Sequence, residues 1–143
     1  MKTMIRIFSV LLLLTCCMSA GAQVLRDADY NSIGRIAGNG LVRDLSQRSV
    51  GSFDPDGTIR DKAGVAVGRI SRLEIFDASG ARVGYINNDG SVRDGESRPL
   101  GKIGLSDGKV VDASGKLLGY ARGIRVDWIA CYYFFNFFGA LPK

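Results

Sequence analysis

The feature that most constrains this chain is a repeat of about 17 residues. Glycines preceded by an aliphatic residue recur at Gly34, Gly51, Gly68, Gly84, Gly101 and Gly119, with spacings of 17, 17, 16, 17 and 18. Two residues beyond each stands Ile36, Phe53, Ile70, Ile86, Ile103 or Ala121. A second ladder runs half a unit out of phase, at Asp44, Asp61, Asp77, Asp94 and Asp112. Val42, Ile59, Ile75, Val92 and Val110 stand two residues before these aspartates. The unit reads aliphatic-Gly-x-Ile, a turn, Val-Arg-Asp, and a second polar turn. A fixed period of this kind marks a repeat architecture, in which each unit buries its apolar face against its neighbours.

Each half unit alternates apolar and polar residues over a few positions, the pattern of a half-buried strand. Asn39-Gly40, Asp56-Gly57, Asp89-Gly90 and Asp107-Gly108 separate the halves. Such pairs tolerate positive φ and make the tight turns of β-hairpins. Asp61-Lys62-Ala63-Gly64, Asp77-Ala78-Ser79-Gly80 and Asp112-Ala113-Ser114-Gly115 follow the second halves. There a carboxylate can accept a hydrogen bond from the backbone two residues on, and glycine takes the left-handed position. The ladder glycines are expected to permit a close backbone approach at a crowded centre, or a bulge. Hairpins this short are not stable alone, so the copies must share one core. The ends suggest how. Leu25-Arg26-Asp27 matches a second half unit and Leu118-Gly119-Tyr120-Ala121 a first. Pairing them would close a ring and remove its edges. The predicted fold class is all-β: a closed ring of short hairpins over residues 23–125. It has five hairpins counted from glycine to aspartate, or six counted from aspartate to glycine. Residues 126–143 are expected to pack as an aromatic segment on one face of the same domain.

The run VGSFDPDGTIRDKAGVAVGRI, with VGYINNDGSVRD and LGKIGLSDGKVVDASGKLLGY, resembles the secreted 5-fold β-flower proteins of Bacteroidetes over about residues 24–138. The resemblance implies a small five-fold β arrangement and an exported protein. It implies no activity, and it carries over no catalytic residue.

Residues 1–22 have the three parts of a secretion signal: Lys2 and Arg6, an apolar core from Ile7 to Met18, and small residues at Ala20-Gly21-Ala22. Cleavage is predicted before Gln23, giving a periplasmic, outer-membrane-associated or extracellular protein. The core is shorter than the roughly 20 residues that span a bilayer. Lipoprotein processing at Cys16 or Cys17 competes, but Thr15 and Cys16 stand where a small residue is usual. Removing Lys2 and Arg6 lowers the formal charge from +5 to +3 and leaves Cys131 as the only cysteine, so no internal disulfide can form. The chain has no histidine, which removes Ser-His-Asp and Cys-His catalysis and every His-ligated metal site. Its basic residues are scattered and usually beside an aspartate, which argues against nucleic acid.

The stretch Trp128 to Phe138, WIACYYFFNFF, holds one strongly polar residue, Asn136. Asp127 and Gly139 could bound a helix, with Pro142 beyond. Aromatic and β-branched content favours a strand. Either way it is expected to be buried against the ring, because so much apolar surface would aggregate in water. The competing reading is a membrane or partner anchor.

The aspartate ladder is read as turn chemistry, since calcium loops need more converging oxygens than each turn offers. The arginines of Arg43-Asp44, Arg60-Asp61 and Arg93-Asp94 are expected to face outward and pair across strands, or to offer a positive face to an anionic glycan. Repeat three departs from the pattern, with Arg72-Leu73-Glu74 in place of Asp-Gly and Phe76 in place of arginine. Such a break can mark a grafted site, so Arg69, Arg72 and Glu74 are the candidate ligand contacts. The function expected is a non-enzymatic, exported module that binds or scaffolds, with an envelope component or glycan as partner and no cofactor. A membrane-associating protein is the alternative. A carboxylate-based glycan hydrolase comes third, since it needs two close acids and Glu74 and Glu96 are the only glutamates.

Overall fold

A computed structural model describes residues 23–139. The predicted secretion signal, its expected cleavage site, Cys16 and Cys17 lie outside the described residues, as do 140–143. Twelve short strands follow one another in chain order: β1 Gln23–Asp27, β2 Ser32–Ile36, β3 Leu41–Arg43, β4 Ser49–Phe53, β5 Thr58–Asp61 and β6 Ala66–Ser71. The series continues with β7 Glu74–Asp77, β8 Arg82–Ile86, β9 Ser91–Asp94, β10 Pro99–Ile103, β11 Lys109–Asp112 and β12 Leu117–Tyr120. Each pairs antiparallel with the next, and β1 pairs with β12, so the sheet closes into a barrel. The closing seam joins Arg26 to Tyr120 and Asp27 to Gly119. The hairpins β2–β3, β4–β5, β6–β7, β8–β9 and β10–β11 run from glycine to aspartate, and β12 with β1 fills the remaining position.

Two rims of turns bound the barrel. At the first rim, Gly57 N–H donates to Asp54 O at 3.0 Å and Gly57 adopts φ +95°. This is a type I turn ended by a left-handed glycine. Asp56 does not share the positive φ; its Oδ1 accepts the Thr58 N–H at 3.0 Å. The carbonyl of Gly57 then accepts Ile70 N–H of the next unit at 2.8 Å, a link repeated from Gly40 to Phe53 and from Gly90 to Ile103. At the second rim, Asp61 Oδ1 accepts Ala63 N–H at 2.9 Å and Val65 N–H at 3.0 Å. Asp27, Asp44, Asp77, Asp94 and Asp112 repeat this double bond. Three copies place Tyr30, Gln47 or Ser97 where the others have a left-handed glycine. The uneven spacings follow from turn length. Arg72-Leu73 is a two-residue loop with φ of 51° and 64°, and it closes the unit of 16. The turn from Gly104 to Gly108 is one residue longer than the common form and closes the unit of 18.

Inward residues of the two ladders form the barrel lining. Leu25, Val42, Ile59, Ile75, Val92 and Val110 are fully buried, and Ile36, Phe53, Ile70, Ile86, Ile103 and Ala121 nearly so. Barrels of about eight strands are just filled by their own side chains, so twelve leave space for more. Here α1, Val126–Tyr133, supplies the filling: Ile129, Ala130, Cys131, Tyr132 and Tyr133 belong to the same core. The strand preference of this aromatic run is overruled. A lone strand inside a closed barrel would have no partner for its backbone groups, whereas a helix satisfies its own. Asp127 is not the cap; Arg125 holds that position, and Asp127 Oδ1 accepts the Trp128 N–H in the first turn. The helix ends at Tyr133, six residues before Gly139.

The ladder glycines receive the rings of the tail. A Cβ on Gly68 would stand 2.7 Å from Phe137 Cε1, one on Gly119 2.8 Å from Tyr133 Cε1, and one on Gly34 3.3 Å from Tyr132 Oη. Gly101, Gly84 and Gly51 face Phe134, Phe135 and Phe138 in the same way. In tail order the rings meet Gly34, Gly119, Gly101, Gly84, Gly68 and Gly51, which is one circuit of the barrel, a ring per glycine strand. Asn136, at φ 51°, is the one residue passed over. Register shifts on the strands facing Gly34, Gly51, Gly68, Gly84 and Gly119 show that the glycines also sit at bulges.

Candidate functional site

With the interior occupied, the side chains free to meet a ligand lie on the outer wall and the rims. On the wall, the residue after each ladder glycine points outward and sits opposite the outward residue of the next half unit. The Cα partners are Arg35 with Arg43, Ser52 with Arg60, and Arg69 with Phe76. Further round they are Tyr85 with Arg93, Lys102 with Val111, and Tyr120 with Arg26. One residue from each strand thus forms a belt around the barrel, with seven cations, three aromatic rings and no carboxylate.

The arginines of the second half units are anchored. Arg26, Arg43, Arg60 and Arg93 each donate from Nη1 to the carbonyl four residues on, at 3.0, 2.7, 3.0 and 2.8 Å. This corrects the expected cross-strand pairing: the guanidinium reaches down its own strand and ties the second-rim turn. Arg60 alone among them also pairs with a carboxylate, Asp54, at 2.7 Å. Arg35, Arg69 and Lys102 are exposed and have no ion-pair partner among the described residues. Arg69 lies over the Phe76 ring at 5.6 Å.

Most of the acids sit at the rims, but Glu74 lies on the wall in register with Tyr85 of the belt, and Asp54 reaches the belt's Arg60. Hydrogen bonds from the Ser79, Ser91 and Ser114 hydroxyls hold Asp77, Asp89 and Asp112 below the usual carboxylate range. At the first rim, a cleft of about 280 Å³ opens between Asp54, Asp56, Arg72, Arg125 and Trp128. Trp128 stacks on Phe53 at 5.1 Å, and Arg125 covers the Trp128 ring at 4.9 Å. The buried Asp127 grips Arg125 through two bonds of 3.1 and 2.6 Å. Among the described residues, no three acidic or thiol side chains converge as a metal site.

The structure does not gather the three sequence candidates into one site. Arg69 belongs to the belt, Arg72 turns into the first-rim cleft, and Glu74 pairs with Arg82 at 3.1 Å. Glu96 is bound to Arg98 at 3.3 Å in a second-rim turn, so the two glutamates stand on separate elements, each tied to its own arginine. Of the tail rings, Tyr132 and Tyr133 are 2% and 5% exposed and Tyr133 Oη donates to Arg26 O at 2.6 Å, whereas Phe134, Phe135, Phe137 and Phe138 are half-buried. Burial raises the Tyr132 hydroxyl to about 12 and pushes the Cys131 thiol well up. Among the described residues no helix is long and apolar enough to cross a membrane.

Sequence reasoning put the second-half arginines on the outer face but did not join Arg35 and Lys102 to them in a belt, because those residues meet only through strand register. Arg43-Asp44 and its copies look self-neutralising, yet adjacent residues of a strand point apart. The period of the arginines, set against the period of the aspartates, was the signal that could have found it. Comparison with curated proteins and with solved structures gives no match. The family model described as 5-fold beta-flower protein matches residues 22–137, spanning the twelve strands and the helix, and the chain belongs to that family.

Proposed function

We propose that this β-flower chain is an exported, non-enzymatic module that binds or scaffolds in the cell envelope or outside the cell. The observation that carries the reading is the filled barrel. The tail takes up the interior, so the surface left for recognition is an outer wall on which Arg26, Arg43, Arg60 and Arg93 are already fixed by backbone bonds. A wall of short, cross-tied hairpins suits binding better than bond-breaking chemistry, which needs enclosed and closely opposed reactive groups.

The reading is tested by fractionating the native host, sequencing the N-terminus of the recovered chain, and mixing the purified protein with host envelope. The expected result is a chain that starts at Gln23, lies outside the cytoplasm, and co-sediments with envelope that stays chemically unchanged. A cytoplasmic chain retaining Met1 would overturn export. A diacylglyceryl group on Cys16 or Cys17 would make the protein a lipoprotein. Release of glycan fragments would replace binding by hydrolysis.

A further inference from the structure

We propose that the outer belt is a docking track for a linear acidic polysaccharide, a polymer whose carboxylates are spaced along alternate sugars. The proposal rests on the binding-module reading and names its ligand class. Neighbouring strands stand ~4.8 Å apart, so the belt's seven cations on twelve strands recur on average every ~8 Å around the wall. A polysaccharide with a uronate on alternate sugars has a comparably sparse spacing. Duplex DNA carries a charge per ~1.7 Å of axis, far denser than the belt can answer. The belt is also narrow. Strands of four or five residues at ~3.3 Å each set the two rims about 15 Å apart, and the rims carry the aspartates. A single polymer strand fits between them, whereas a duplex would overlap the acidic rims.

Three further observations support an anionic sugar polymer. Arg35 stands directly opposite Arg43, a like-charge pair that is unfavourable unless an anion lies between. The guanidiniums of Arg43 and Arg93 are held by turn carbonyls, so docking freezes little additional side-chain freedom. Phe76, Tyr85 and Tyr120 interrupt the cations with half-buried rings, which offer apolar edges to the C–H faces of sugars.

The test uses hyaluronan, which carries one uronate carboxylate on every second sugar, as probe, with dextran as the uncharged polymer and oligo(dT) as single-stranded nucleic acid. The variant Arg35→Gln/Lys102→Gln/Arg69→Gln removes three exposed belt cations that anchor no turn. The variant Arg48→Gln/Lys62→Gln/Lys116→Gln removes the same charge from the second rim. The parent should bind hyaluronan and not dextran. The belt variant should bind at least about tenfold more weakly at low salt and with a shallower salt dependence, and the rim variant should stay near the parent. Equal losses in both variants, or no binding to hyaluronan, would overturn the belt. Tighter binding of oligo(dT) than of hyaluronan would overturn the ligand class. Envelope co-sedimentation that survives in the belt variant would leave the binding module standing and refute the belt alone.

Discussion

If the ladder glycines exist to seat the tail rings, Gly84 and Phe135 must be energetically coupled. Gly84 has no positive φ, so alanine is allowed by the backbone. Its Cβ would nevertheless meet both the Phe135 ring and the Arg93 carbonyl. Overpacking of this kind costs about 1–3 kcal/mol, more than the few tenths gained from a stiffer unfolded chain. Phe135 is half-buried, so Phe135→Ala should cost roughly half of the ~3–5 kcal/mol seen for a buried ring, about 2 kcal/mol. With the ring gone, Gly84→Ala keeps only the carbonyl collision. The double variant should therefore be more stable than additivity by about 1 kcal/mol. Urea titrations followed by the fluorescence of the single tryptophan, Trp128, measure the cycle. Gly38→Ala is the control: its Cβ meets nothing within 4 Å and its φ is not positive, so it should be neutral or slightly stabilising. Additivity at Gly84 and Phe135 within ~0.5 kcal/mol would refute the idea that ring and glycine are matched.

Three more outcomes are expected. Gly57→Val should destabilise by more than ~1 kcal/mol, because φ is +95° and the new Cβ would meet the Ile70 carbonyl; an unchanged melting temperature would count against the tight turn. Deleting residues 128–143 strips Ile129, Tyr132 and Tyr133 from the core, at roughly 1.5–3 kcal/mol for each large side chain, which approaches the whole stability of a domain this size. The truncated chain should be insoluble or unfolded, and a monodisperse product with unchanged far-UV circular dichroism would refute the plug. Finally, Asp77, Asp89 and Asp112 have folded pKa values below their unfolded ones, so their stabilisation is present above about pH 4 and lost as pH falls through the folded values. Melting temperature should drop on acidification below that point, and Asp77→Asn should flatten the drop; a parent and variant with parallel curves would mean the turn carboxylates carry no linkage.

The fold was largely legible because its code is periodic. Two ladders set half a unit apart can only mean alternating strands, and the half units at Leu25 and Leu118 can only pair by closing. The turns were legible where glycine or an Asp-x-x-Gly run marks them, and hidden where Tyr30, Gln47 and Ser97 take the left-handed position without glycine. The aspartate at the start of the turn, with its two backbone bonds, is common to all six copies and holds the turn with or without that glycine. The tail was misread toward strand because propensity ignores where a segment sits. The missed clue was numerical: six ladder glycines, and six rings from Tyr132 to Phe138 around Asn136. A residue with no side chain leaves a hole, and a repeat of such residues leaves a ring of holes that something must fill.

The candidate site was far less legible, for a reason that lies in strand geometry. Val-Arg-Asp repeated along the chain suggests charges that cancel, since each arginine touches its own aspartate in sequence. In the fold the two part company. Asp44 turns into the second rim and accepts two backbone N–H groups, while Arg43 lies on the wall and reaches the Gln47 carbonyl of the same turn. The same local step that builds a turn thus sorts charge by height, acids to the rims and bases to the waist. Closing the barrel then brings first-half residues such as Arg35, Arg69 and Lys102 into the same band. No window of sequence contains that band, because its members are separated by whole strands. It exists only once register is fixed, so the surface a partner would meet is a product of the pairing and not of any motif.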